Sequence, residues 1–115
     1  MAEITAGGIR FHVQRLAARD RTPRLGPPVV FIHGLCLDNL SSFYYTLANP
    51  VAHAGADVIM YDQRGHGLSE RPRTGYRISD SVADLAAIRD ALGGEDPVHI
   101  VGHSDGGAIA LSYAG

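Results

Sequence analysis

The sequence predicts an α/β fold, a doubly wound and mostly parallel sheet. Three observations predict it. Short apolar runs, Val29–Ile32 among them, suit strands buried on both faces. Segments with helical spacing lie between these runs, which is the alternation of layered α/β proteins. Residues 98–111, VHIVGHSDGGAIAL, then read as strand, tight turn and helix in one stretch.

Residues 4–16 alternate loosely, with Ile9, Phe11 and Val13 against Arg10, His12 and Gln14. This predicts a two-sided edge strand with Gly7-Gly8 as a turn before it. Residues 17–26 are charged and loop-like, and Pro27-Pro28 leads into the apolar run Val29–Ile32. That strand ends in His33-Gly34-Leu35-Cys36. Residues 38–53 read as a loop and a helix, with Phe43, Leu47 and Val51 at helical spacing toward the sheet. Tyr44 and Tyr45 lie on the same stretch and are read first as packing residues. Gly55-Ala56 ends this helix, and residues 57–61 form the next strand.

Residues 62–69, Asp-Gln-Arg-Gly-His-Gly-Leu-Ser, form a D-x-R-G-x-G-x-S loop. Gly65 and Gly67 permit a tight path there, and Asp62 and Arg64 can pair or bind backbone to hold it. His66 is read as a solvated loop histidine. Ser79 or Ser81 can cap the following helix, and Ser81 with Asp84 fits S-x-x-[DE]. Leu85, Ile88 and Leu92 mark that helix's buried face, and Gly93-Gly94 stops it. Pro97 restarts the chain into an apolar strand of Val98, Ile100 and Val101, expected to be buried.

The turn after that strand carries the chemistry. Gly102-His103-Ser104-Asp105-Gly106 is G-x-S-x-G between a strand and a helix, the context that gives the pattern meaning. Its serine is forced into a strained conformation, and its flanking positions must be small so that strand and helix approach. With the His-Gly pair and the D-x-R-G-x-G-x-S loop upstream, in that order, the chain resembles the N-terminal part of an α/β-hydrolase. The resemblance covers residues 1–115 as the first portion of one domain, ending in the helix after the nucleophile elbow. It implies Ser104 as nucleophile and the backbone N–H groups of Leu35 and Asp105 as an oxyanion hole. His33, Gly34, Gly102, His103, Gly106 and Gly107 would support elbow and loop. Many relatives carry Pro or Gly after the Leu-type position, where this chain has Cys36.

A serine hydroxyl needs a base, and the base needs an orienting carboxylate. In this family the order is Ser, acid, His. After Ser104 the sequence holds one acid, Asp105, and no histidine. Upstream stand His12, His33, His53, His66 and His99, with His103 beside the serine. His99 is expected to be packed within its strand, and His103 to point away from Ser104. His33 lies nearest the oxyanion loop, but that position is not the base in relatives. The i, i+4 pair His99 and His103 straddles strand and turn, so no metal site is expected.

Composition narrows the function classes. The chain has 115 residues, 45% hydrophobic and 19% charged, with formal net charge −2. That balance argues against a nucleic-acid partner. The single Cys36 excludes an internal disulfide and fits a cytoplasmic location. No basic-then-apolar leader opens the chain, and no apolar run has membrane-spanning length. The expected function is a serine hydrolase acting on a small-molecule acyl substrate, an ester or thioester, without a cofactor. Its histidine and acid would come from sequence other than these residues, and its expected protein partner is a complementing C-terminal half or, by self-association, a second copy of the chain. The competing expectation is a non-catalytic, partner-binding half of the fold. A nucleotide-binding domain is disfavoured, because residues 102–107 lack the P-loop lysine and no G-x-G-x-x-G follows the first strand.

Overall fold

The computed structural model describes residues 2–17, 28–34, 39–40, 47–53, 56–92 and 98–114. Strands β1 (Ala2–Ala6), β2 (Ile9–Leu16), β3 (Val29–Ile32), β4 (Val58–Tyr61) and β5 (His99–Gly102) form one sheet in the order β1-β2-β4-β3-β5. Helices α1 (Asn49–His53), α2 (Ile78–Ala91) and α3 (Asp105–Ala114) complete the described elements. Pairs β1-β2 and β2-β4 are antiparallel, and β3 is parallel to both β4 and β5. The sheet is therefore mixed, with its parallel part at the end that carries the candidate site.

The first ladder corrects the sequence expectation. Gly7-Gly8 is the centre of a hairpin, not a turn before a lone strand. Its φ values of 59° and 81° give two consecutive left-handed residues, the hairpin turn whose twist matches its flanking strands. β1 takes the sheet edge, so β2 is an interior strand between β1 and β4.

Strand alternation divides the core in two. Phe11, Val13, Val30, Ile32 and Tyr61 face α2 and α3, where Leu85, Ile88 and Ile109 are fully buried. Phe31, Val58 and Met60 face the other way, against Leu40, Ala48 and Ala52. Phe11 and Tyr61 meet edge to face at 6.2 Å. Burial, and secondarily the charge of Asp84, push the Tyr61 phenol pKa up, so it is a neutral core ring.

Around α1 the inward face differs from the expected one. Ala48 and Ala52 are buried, Val51 is half-buried, and Leu47 is 49% exposed. Two alanines let this short turn lie close to the sheet, which leaves Leu47 outside. Phe43 lies outside the described residues.

At α2 the start also moves. The helix opens at Ile78 behind Arg77, whose N–H donates to Asp80 Oδ2 at 3.1 Å. Ser79 and Ser81 lie inside the helix, and Asp84 is buried within it rather than closing a cap. The helix ends at Ala91, and Leu92 N–H donates to Ile88 O at 3.0 Å. Gly93 and Gly94 lie outside the described residues.

β5 is less buried than its apolar run predicts. Ile100 packs toward α2 and α3, while His99 is exposed and Val101 is 38% exposed. The reason is position. β5 is the last strand of the sheet, and among the described residues no helix covers the face that His99 and Val101 share.

Candidate active site

The site is built where β5 runs into α3. Ser104 has φ +57° and is the one non-glycine residue at positive φ among the described residues. For a residue with a Cβ this is a strained conformation, held only where its surroundings enforce it. Three backbone bonds do so. His103 N–H donates to Ile32 O at 3.0 Å, Gly106 N–H to His103 O at 2.9 Å, and Gly107 N–H to Ser104 O at 2.9 Å. Ser104 and His103 are exposed at the bend.

The glycines divide by what surrounds them. A Cβ on Gly102 would come inside 3.0 Å of the Gly106 carbonyl. A Cβ on Gly106 would come inside 3.0 Å of the Ile32 and His33 carbonyl oxygens. In both cases backbone blocks the space, so strand and helix meet at a distance only glycine allows. Gly107 differs, because its nearest neighbour would be Gly102 O at 3.6 Å, an ordinary contact. Asp105 opens α3, where the first N–H groups have no carbonyl partner within the helix.

The end of β3 lies beside this bend. His33 is fully buried. Gln63 N–H donates to His33 Nε2 at 3.0 Å, which leaves the ring proton on Nδ1, 2.6 Å from Gly34 O. Gln63 Nε2 also donates to the His33 carbonyl at 2.6 Å. Both ring nitrogens are thus committed to backbone, so His33 supports the loop and does not serve as a base. Leu35 and Cys36 lie outside the described residues, as do Tyr44 and Tyr45.

The D-x-R-G-x-G-x-S loop is held by its two charged residues separately. Asp62 Oδ1 accepts from Leu40 N–H at 2.8 Å, and Oδ2 from Leu68 N–H at 3.0 Å and from His12 Nδ1 at 2.8 Å. Arg64 makes a two-pronged pair with Asp84, Nε to Oδ2 at 2.6 Å and Nη2 to Oδ1 at 2.7 Å, and donates to Gly75 O at 2.7 Å. The bond to Asp84 is the main cause that raises the Arg64 pKa, against the opposing effect of burial. His66 is half-buried, with its ring 5.0 Å from that of His33 and its Nδ1 2.9 Å from Arg64 O. It is a packed neighbour of His33, not a solvated loop residue.

Two further histidines depart from expectation. His99 is exposed on β5. His12, which alternation alone placed on a polar face, is buried and paired with Asp62. The sequence carries no local signal for that pairing, because the partners are 50 residues apart. Among the described residues no hydrogen bond reaches the Ser104 hydroxyl. No three of their His, Cys, Asp or Glu side chains converge as metal ligands, and none of their helices is long and apolar enough to cross a membrane.

Residues 27–115 match the family defined by the alpha/beta hydrolase fold. A non-heme chloroperoxidase from Streptomyces lividans is 42% identical over 100 residues, covering 83% of this chain and 33% of that protein. An epoxide hydrolase B from Mycobacterium tuberculosis is 34% identical over 113 residues, covering 93% of this chain and 29% of that one. Among solved structures, the esterase from Exiguobacterium antarcticum superposes with a TM-score of 0.81 at 32% identity, covering 96% of this chain and 38% of its own. The chain therefore spans about a third of the length of these relatives.

Proposed function

Because this chain belongs to the α/β-hydrolase fold family, we propose that it supplies the nucleophile half of a serine hydrolase acting on a carboxylic ester or thioester. The observation that carries the reading is Ser104, exposed at a positive-φ bend between β5 and α3 and flanked by two glycines that backbone keeps small. Its hydroxyl oxygen attacks the acyl carbonyl while a base takes its proton. The carbonyl oxygen gains the negative charge. The Asp105 N–H and the Leu35 N–H receive that charge, each donor contributing about 3 kcal/mol to the transition state. Collapse expels the alcohol or thiol, which regains the proton, and water then attacks the acyl-enzyme by the same route in reverse.

The base and its orienting carboxylate belong to sequence other than these 115 residues. His33 is committed to backbone, and His12 is committed to Asp62. On this reading residues 1–115 are the first part of one domain, completed by a later segment or a complementing chain. The lone Cys36 agrees with work in the reducing cytoplasm. A relative bears the name epoxide hydrolase. The serine favours ester-type chemistry here, because the epoxide-opening branch of the family is associated with aspartate at the elbow centre.

A fluorophosphonate probe tests this. With the completing sequence present, Ser104 is expected to be phosphonylated, with the adduct located on its peptide by mass spectrometry and lost in Ser104→Ala. The 115 residues alone are expected to react no faster than free serine. Reaction at another residue with the completing sequence present contradicts the assignment. No reaction at all, with binding of a partner protein, supports the non-catalytic alternative.

A further inference from the structure

We infer that Gln63 is a positioning residue for Ser104: it fixes the His33 carbonyl, and the bend at Ser104 stands against the main chain of which that carbonyl is part. The link to chemistry rests on the function proposed above.

The contact is plain from the side of the bend. Gly106 lies so close to the end of β3 that a Cβ on it would come inside 3.0 Å of both the Ile32 and the His33 carbonyl oxygens. His103 N–H donates to the first of these at 3.0 Å. His103 stands one residue before Ser104 and Gly106 two residues after it. Both rest on the Ile32–His33 main chain, so a shift in that main chain carries the serine with it.

Gln63 holds the same main chain from the side of β4. The β3–β4 ladder has its last pair at Phe31 and Met60. Beyond it, the Gln63 N–H donates to His33 Nε2 at 3.0 Å, and the Gln63 carboxamide nitrogen donates to the His33 carbonyl at 2.6 Å. The side chain thus supplies a donor where the ladder has ended. His33 is fully buried and Gln63 is 5% exposed, so bulk water does not stand in for this donor.

A buried carbonyl that loses its donor is destabilised, and its peptide plane turns toward another. The His33 ring resists such a turn, because Gln63 N–H and Gly34 O engage both its nitrogens. The movement therefore falls on the carbonyl and on its contact with Gly106. Packing alone does not call for an amide here. A leucine fills a similar space without burying a polar group, and what glutamine adds is the donor aimed at His33. Gln63 meets none of the reacting atoms and acts through the His33 carbonyl.

Phosphonylation of Ser104 and exchange of the His103 amide, measured on the preparation that reacts with the fluorophosphonate, test this. In the unmodified protein the His103 N–H is expected to exchange as slowly as the β3 amides. In Gln63→Leu it is expected to exchange about tenfold faster, while Leu85 and Ile88 in α2 keep their protection. The maximal phosphonylation rate is expected to fall about 10- to 100-fold, the loss typical of a displaced reacting group, with the half-saturating probe concentration unchanged. Gln63→Glu makes the loss reversible. Its ionised carboxylate has no proton to give the His33 carbonyl, so at about pH 8 the rate relative to the unmodified protein at the same pH is expected to be as low as in Gln63→Leu. Burial raises the pKa of the introduced carboxyl, so by about pH 5 it is protonated, donates to the carbonyl, and restores most of the relative rate. A relative rate that stays flat over this range overturns the inference, whether or not Gln63→Leu folds. So does a Gln63→Leu variant that melts earlier yet reacts at the unmodified rate, or rapid His103 exchange in the unmodified protein. If Ser104 of the unmodified protein does not react, the function proposed above fails, and the His103 exchange in Gln63→Leu still judges the positioning.

Discussion

Gly106→Ala is expected to destabilise the protein by about 3 kcal/mol, read as a lower urea midpoint, and to abolish reaction at Ser104. The added methyl would sit inside 3.0 Å of the Ile32 and His33 carbonyl oxygens. Backbone cannot rotate aside as a side chain can, so α3 must move away from β3. That motion breaks the His103 bond to Ile32 O, which holds the bend. Gly102→Ala is expected to act alike, since its methyl meets the Gly106 carbonyl from the opposite side. Gly107→Ala is the control. It has ordinary space and lies in a helix, where alanine replaces glycine with a gain of roughly 0.5–1 kcal/mol. Equal midpoints for Gly106→Ala and Gly107→Ala would contradict the close approach of β3, β5 and α3.

Asp84→Ala is expected to cost about 3–5 kcal/mol, because it strands the Arg64 guanidinium in a nearly buried place. Arg64 spans from α2 to the Gly75 carbonyl, so its loss of a partner also loosens residues 62–76. The pair Arg64→Met with Asp84→Leu is expected to cost less than Asp84→Ala alone, since no charge is then left unpaired. Thermal melts of the three variants make the comparison. A double variant worse than the single would mean that the ion pair itself, and not the stranded charge, carries the stability.

Much of the architecture was legible because it rests on local chemistry. Val29–Ile32 reads as a strand from its unbroken apolar run, and the turn at Ser104 reads from glycines spaced around a serine. β1 was not legible, since Ala2–Ala6 has little strand character and is held by pairing with β2. The buried role of Asp84 was hidden by a sequence pattern that also fits a helix cap, and only the approach of Arg64, 20 residues earlier, decides between them. The exposure of β5 depends on its place at the end of the sheet, which an apolar run does not encode. His12 was invisible for the same reason. A histidine in an alternating strand looks solvated until the Asp62 loop folds over it.

On the proposed function, the Ser104 oxygen is expected to form a covalent acyl intermediate. The direct measurement is peptide mass analysis of protein acid-quenched during turnover of a simple activated ester, with the completing sequence present. The acyl mass is expected on the peptide containing Ser104, absent in Ser104→Ala and lost again when substrate runs out. Ester turnover with that peptide unmodified, or an acyl group carried on another residue, would contradict it.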